Sequence, residues 1–93
     1  MANAIRQIPG LQEYLDNLGI SGEVVSGSLV TKIMPASLSL DYTPSNFYLF
    51  VNGIKQIENQ DYQVFPQYKR VDILNRLESS TDLVVEWFYE KGV

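Results

Sequence analysis

The chain contains no histidine and no cysteine. The commonest general base, the thiol nucleophile and the usual transition-metal ligands are therefore missing together, which removes most enzyme classes. Without cysteine no disulfide framework can form, so the fold must be held by packing alone, as suits assembly in a reducing cytosol. Basic residues are also few. Seven Lys and Arg stand against eleven Asp and Glu, the formal net charge is −4, and only Lys69 and Arg70 adjoin. Binding nucleic acid by counterion release needs a basic stripe, so nucleic acid is not an expected partner. The longest apolar run is five residues, Phe47 to Val51, against the ~20 that span a bilayer as a helix, so no membrane anchor is expected. The start, Met1-Ala2-Asn3-Ala4-Ile5-Arg6, lacks the basic and apolar regions of a secretory signal. The product is expected to stay inside the cell that makes it or to leave by lysis. Internal repeats and low-complexity tracts are missing as well.

What is present is a composition that folds. Of the 93 residues, 45% are apolar and 12% aromatic, too many for intrinsic disorder over most of the chain. A chain of this length makes one domain with one core, burying a little over ~60% of its unfolded surface, so further packing between copies would help it.

The clearest local signal is Asn52-Gly53 between Leu49-Phe50-Val51 and Ile54-Lys55-Gln56. Both residues tolerate positive φ, as a two-residue type I′ hairpin turn requires. That turn sets Val51 opposite Ile54, Phe50 opposite Lys55, and Tyr48 opposite Ile57 on the side of Phe50. Other strands are expected at Leu29–Met34, stopping at Pro35, and at Ala36–Tyr42, where Leu38, Leu40 and Tyr42 alternate with Ser37, Ser39 and Asp41. Thr43-Pro44-Ser45-Asn46 reads as a turn, and Gly19 to Gly27 as a connection or irregular first strand. Tyr62–Phe65 and Lys69–Leu74, separated by Pro66, are two further strands, and Leu83–Tyr89 is the last. In that last strand Leu83, Val85, Trp87 and Tyr89 share one face, expected to be the core face, and Val84, Glu86, Phe88 and Glu90 share the other. Leu38, Leu40 and Tyr62 complete the expected structural core. Six or seven short strands with no helix among them predict an antiparallel sandwich or small barrel over residues 21–93.

Residues 1–20 read differently. Pro9 suits a first helical position and Gly19 a stop after Leu18, so the spacing predicts a helix over Pro9–Leu18. Ala4, Ile8, Leu11, Leu15 and Leu18 are spaced 4, 3, 4, 3, the seam pattern of a coiled coil. So short a helix is marginal alone in water, so its stripe must be buried, either on its own β domain or between copies of the chain.

Candidate chemistry is thin. Asp72 and Glu86 could approach across neighbouring strands as a carboxylate pair, but acidic residues on sheet faces are usually solvated charges, and catalysis is rejected. Glu58-Asn59-Gln60-Asp61 lacks the glycine-punctuated acidic spacing of a calcium loop and reads as a polar turn. No metal site and no cofactor is expected. Tyr48, Tyr68, Trp87 and Tyr89 could present ring faces to a sugar, although a lone Trp in such a row is more often a core anchor. Glycan binding is thus the second functional reading.

Val51, Asn52, Gly53, Ile54, Asp61, Tyr62, Val64, Asp82, Val84, Glu86, Phe88 and Tyr89 together resemble a small β module of bacteriophage tail fibres, head fibres and related virion appendages. Ile8-Pro9-Gly10-Leu11-Gln12-Glu13-Tyr14-Leu15-Asp16 is similar to segments that join modules in phage fibres, and the two stretches cover about half of the chain. The resemblance implies that Asp61 caps its turn and Tyr62 packs at a strand start. It also favours a three-helix bundle about a threefold axis, with Ile8, Leu11, Leu15 and Leu18 as the oligomer or anchor interface. The implied function is that of a virion structural protein: a homotrimeric capsid-decoration, head-fibre or appendage-adaptor component that adheres to the major capsid or other virion proteins and resides in the virion.

Overall fold

The computed structural model describes residues 23–92. The expected helix over Pro9–Leu18, with its stripe of Ile8, Leu11, Leu15 and Leu18, lies outside the described residues. Within them the chain is all β: β1 (Val24–Ile33), β2 (Ser37–Ser39), β3 (Pro44–Val51), β4 (Ile54–Lys55), β5 (Tyr62–Phe65), β6 (Arg70–Ile73) and β7 (Glu78–Lys91). They form two antiparallel sheets, one of four strands in the order β1-β7-β3-β4 and one of three in the order β2-β6-β5.

Asn52-Gly53 closes the β3–β4 hairpin at φ 51° and 80°, both in the left-handed region that this turn needs. Val51 pairs with Ile54 and Phe50 with Lys55. The pairing then stops short of the expected Tyr48–Ile57 contact. After Gln56 N–H donates to Leu49 O at 2.8 Å, the Ile57 N–H donates to Asp61 Oδ2 at 2.8 Å. That N–H points away from β3 in this register, and its bond to Asp61 holds the chain in the turn that follows, so β4 ends after two residues.

Of three other expectations, the fold decides the first for a strand and corrects the other two. β1 begins at Val24, so Ser26, Gly27 and Ser28 are strand residues paired to Phe88, Trp87 and Glu86; a long partner strand overrides their weak intrinsic propensity. β2 is only Ser37–Ser39. Leu38 and Leu40 are buried but Tyr42 is exposed, because Leu40 N–H donates to Lys69 O at 2.8 Å and the chain bends at Asp41-Tyr42. Finally, Thr43–Asn46 is no turn: β3 starts at Pro44. At that end β4 has not begun, so proline's missing N–H leaves no ladder bond unmade on that side. Asn46, at φ 55°, takes up the register shift between Ser45 and Tyr48, as a bulge residue does.

Between β5 and β6 a 3₁₀ turn, Pro66–Tyr68, leads through Lys69 at φ 51°. β7 has fourteen residues, about twice the expected length, because it pairs with β1 along one edge and β3 along the other.

Residues of both sheets meet in one apolar cluster. Leu49, Val51, Leu83, Val85 and Tyr89 come from the four-stranded sheet, and Leu38, Tyr62, Val71 and Ile73 from the three-stranded one. Met34 and Leu40, beside the strand ends, close it. Within it Phe47 stacks with Tyr89 at 5.9 Å and meets Tyr62 edge-on at 5.7 Å. The Tyr62 hydroxyl donates to Phe47 O at 3.2 Å, so the buried phenol is satisfied while its ring fills the core.

Candidate functional site

The two faces of β7 set the geometry of the molecule. On the inner face Leu83, Val85 and Tyr89 are buried and Trp87 is half-buried at the β1 edge. A Cβ placed on Gly27 would come within 2.6 Å of the Trp87 indole. The ring therefore lies over the glycine, which is why a strand tolerates Gly there. Burial also pushes the Tyr89 phenol above its ordinary value.

The outer face is not the solvated surface that the alternation predicts. Phe88, at 0% exposure, is flanked by Tyr48 at 5.1 Å and by Phe50, stacked at 5.8 Å. Lys55 Nζ sits 5.7 Å from the Tyr48 ring centroid, a cation–π contact at the rim of the group. Glu86, at 5% exposure, lies beside this aromatic trio through its pairing with Phe50. Desolvation raises its carboxyl pKa above the usual value, since burial disfavours the charged form. A solvated role for Glu86 is thus overturned.

The other candidate residues are distributed as follows. Asp72 belongs to the three-stranded sheet and accepts from Arg70 Nε at 2.9 Å. Because Val71 and Ile73 point into the core, Asp72 and Arg70 point away from it. Asp72 and Glu86 therefore face opposite exteriors, and no carboxylate pair forms. Asp61 accepts from the Ile57 N–H in its own loop and from Asn75 Nδ2 at 3.3 Å, beyond the end of β6. Among the described residues no group of three acidic side chains could hold a metal ion.

The four aromatic residues considered for sugar binding are dispersed. Tyr89 is in the core, Trp87 covers Gly27, Tyr48 packs on Phe88, and Tyr68 is exposed beside Arg70. A cleft of about 330 Å³ opens instead between Pro44, Asn46, Tyr48, Glu58 and Pro66. Phe47 and Tyr48 are the two aromatic residues that line it.

Asn52 does more than permit a turn. Its N–H donates to Val84 O at 2.8 Å, and its Oδ1 accepts from Val84 N–H at 2.8 Å. The side-chain amide thus replaces a backbone carbonyl and extends the β3–β7 ladder one pair past Val51–Val85. Sequence reasoning places Asn52 in the turn but has no signal for this bond. The outer aromatic trio did have a signal, because Leu83 to Tyr89 is apolar on both faces except at Glu86, the pattern of a strand covered on both sides.

Comparison of the chain with protein-family models, with curated proteins and with solved structures finds no match in any of the three.

Proposed function

We propose that this chain is a bacteriophage virion structural protein, a homotrimeric capsid-decoration, head-fibre or appendage-adaptor component whose work is adhesion between protein surfaces. In this reading the two sheets form a β-sandwich and the module is a stoichiometric part of the particle. The observation that carries it is the exposure of large apolar side chains on both edge strands of the four-stranded sheet and just beyond, Val30 and Ile33 of β1, Ile54 of β4 and Ile57 after it. Side chains of this size left in water are a common mark of contact surfaces. Binding at a symmetric docking site lets three weak contacts act together at high effective concentration.

Light scattering of the purified protein tests the assembly, and the mass of three chains is expected. A folded monomer at micromolar concentration would remove the homotrimer. Co-sedimentation with phage particles tests adhesion, and a protein that pellets with no particle would hand the argument to glycan binding. In that second reading the sugar sits in the cleft beside Tyr48, Asn46 and Glu58, and calorimetry would show saturable heats with a cell-wall oligosaccharide.

A further inference from the structure

Asn52 is the only asparagine of the chain that is followed by glycine. That dipeptide has a chemistry of its own, because Gly53 has no side chain to hinder the approach of its backbone nitrogen to the Asn52 amide. The Gly53 nitrogen gives its proton to hydroxide and attacks Asn52 Cγ. The Cγ–Nδ2 bond breaks, and the amide nitrogen takes a proton from water and leaves as ammonia, closing a succinimide ring. Water then adds at one of the two ring carbonyls. Opening at one restores the main chain with aspartate in place of asparagine, and opening at the other leaves isoaspartate, whose main chain runs through Cβ and Cγ. Nothing is oxidised or reduced.

The turn is open to water: both its residues are exposed, and a Cβ placed on Gly53 would meet nothing within 4 Å. Conformation, not burial, withholds the reaction. Ring closure needs Asn52 Cβ and the Gly53 nitrogen on the same side of the Cα–C bond. Asn52 lies in the left-handed region at φ 51°, where ψ is about +50° and the two atoms stand on nearly opposite sides of that bond. The side chain is held as well. Asn52 Oδ1 accepts from Val84 N–H at 2.8 Å while Asn52 N–H donates to Val84 O at 2.8 Å, so the amide under attack is tied to β7. Val51, the residue before it, is buried and paired with both Ile54 and Val85, and the turn cannot rotate without loosening those pairings. We infer that Asn52 is a modification site that the fold keeps closed: the succinimide forms only while the β3–β4 turn is open, and the isoaspartyl product cannot close the turn again. The aspartyl product still offers an oxygen to the Val84 N–H. The isoaspartyl product adds a main-chain carbon to a two-residue turn whose length sets the register, so both bonds to Val84 are lost. Time spent with an open hairpin is thereby recorded in the chain. This inference does not rest on the virion reading.

A synthetic peptide of residues 48–57 supplies the unprotected rate, since a lone two-stranded hairpin is marginal in water. Peptide and full-length protein are incubated in the same mildly alkaline buffer. Mass spectrometry after proteolysis follows conversion at Asn52, with the aspartyl and isoaspartyl forms separated by chromatography. Asn52 should convert at least about tenfold more slowly in the protein, the factor given by about 1.4 kcal/mol of local opening free energy. Equal rates would overturn the inference. Protein aged in guanidinium chloride and returned to native buffer tests the second half. Its aspartyl chains should melt with the parent, as should a directly made Asn52→Asp variant, and its isoaspartyl chains should stay unfolded or melt at lower temperature. Isoaspartyl chains that melt with the parent, or an Asn52→Asp variant that does not fold, would overturn the distinction between the products. None of these readouts involves a particle or a mass in solution, so the virion reading stands or falls separately.

Discussion

The two sheets share one core but differ in what they turn away from it. The outer side of the three-stranded sheet carries Ser37, Ser39, Gln63, Arg70 and Asp72, a polar set alternating with buried Leu38, Tyr62 and Val71. Its largest apolar group, Phe65, is half-buried, with the Arg70 guanidinium 4.8 Å from its ring centroid. The four-stranded sheet has Tyr48, Phe50 and Phe88 in the same structural position, and its central strand is buried without a break from Val85 to Glu86 and again at Phe88-Tyr89. One sheet ends the protein at water; the other has a second apolar layer to satisfy. The comparison teaches that alternation reports how many faces of a sheet are covered.

The largest expected effect breaks the comparison if it fails. Phe88→Ala should cost about 3–5 kcal/mol, the loss of a fully packed aromatic residue, whereas Phe65→Ala should cost about 1 kcal/mol, the scale of an exposed cation–π contact. Urea denaturation of both variants gives the two numbers side by side, and equal losses would mean that the two outer faces are energetically alike. Next in size is Gly27→Val, which places a branched side chain where the Trp87 ring lies. Displacing that ring should cost about 1–3 kcal/mol, as overpacking does, and should shift the emission of the single tryptophan to longer wavelength. Unchanged emission and stability would show that the indole does not lie over the strand.

Glu86 sharpens the comparison through pH. Its folded carboxyl holds a proton more tightly than the unfolded one, by desolvation. The stability this contributes is therefore fully present below the ordinary value near 4.5 and is lost as pH rises through the raised folded value. Glu86→Gln should make the fold more stable at pH 7 and flatten its decline between mild acid and neutrality, a change smaller than the two above. Melts of the variant and parent across pH 4 to 7.5 that run parallel would show that Glu86 is solvated. The smallest effect belongs to the polar sheet. The Arg70–Asp72 pair has both side chains more than a third exposed, so Arg70→Ala should cost under about 1 kcal/mol, and less in high salt. A loss of several kcal/mol in the melt would mean that this outer face is covered too.

Some of this was legible in the residues alone. Asn52-Gly53 dictates a turn wherever it sits between strand formers, because the constraint is local: two positive φ values, one of them on glycine. Register follows from it for the two pairs Phe50–Lys55 and Val51–Ile54, after which the chain enters the turn that the Ile57 N–H bond to Asp61 holds. Period-two alternation likewise marked Leu38 and Leu40, but it carried Tyr42 to the wrong side because a bend is a decision of the Lys69 carbonyl across the sheet.

By itself the sequence determined the chemistry that is missing, the β character and the tight turn, all of which depend on residue type or on neighbours within a few positions. Only the tertiary structure decided that Gly27 lies in a strand under Trp87, that Asn52 completes a ladder with Val84, and that Glu86 and Phe88 are buried on a face expected to meet water. Each of these depends on what lies across or above a strand, and that is set by segments far away in the chain.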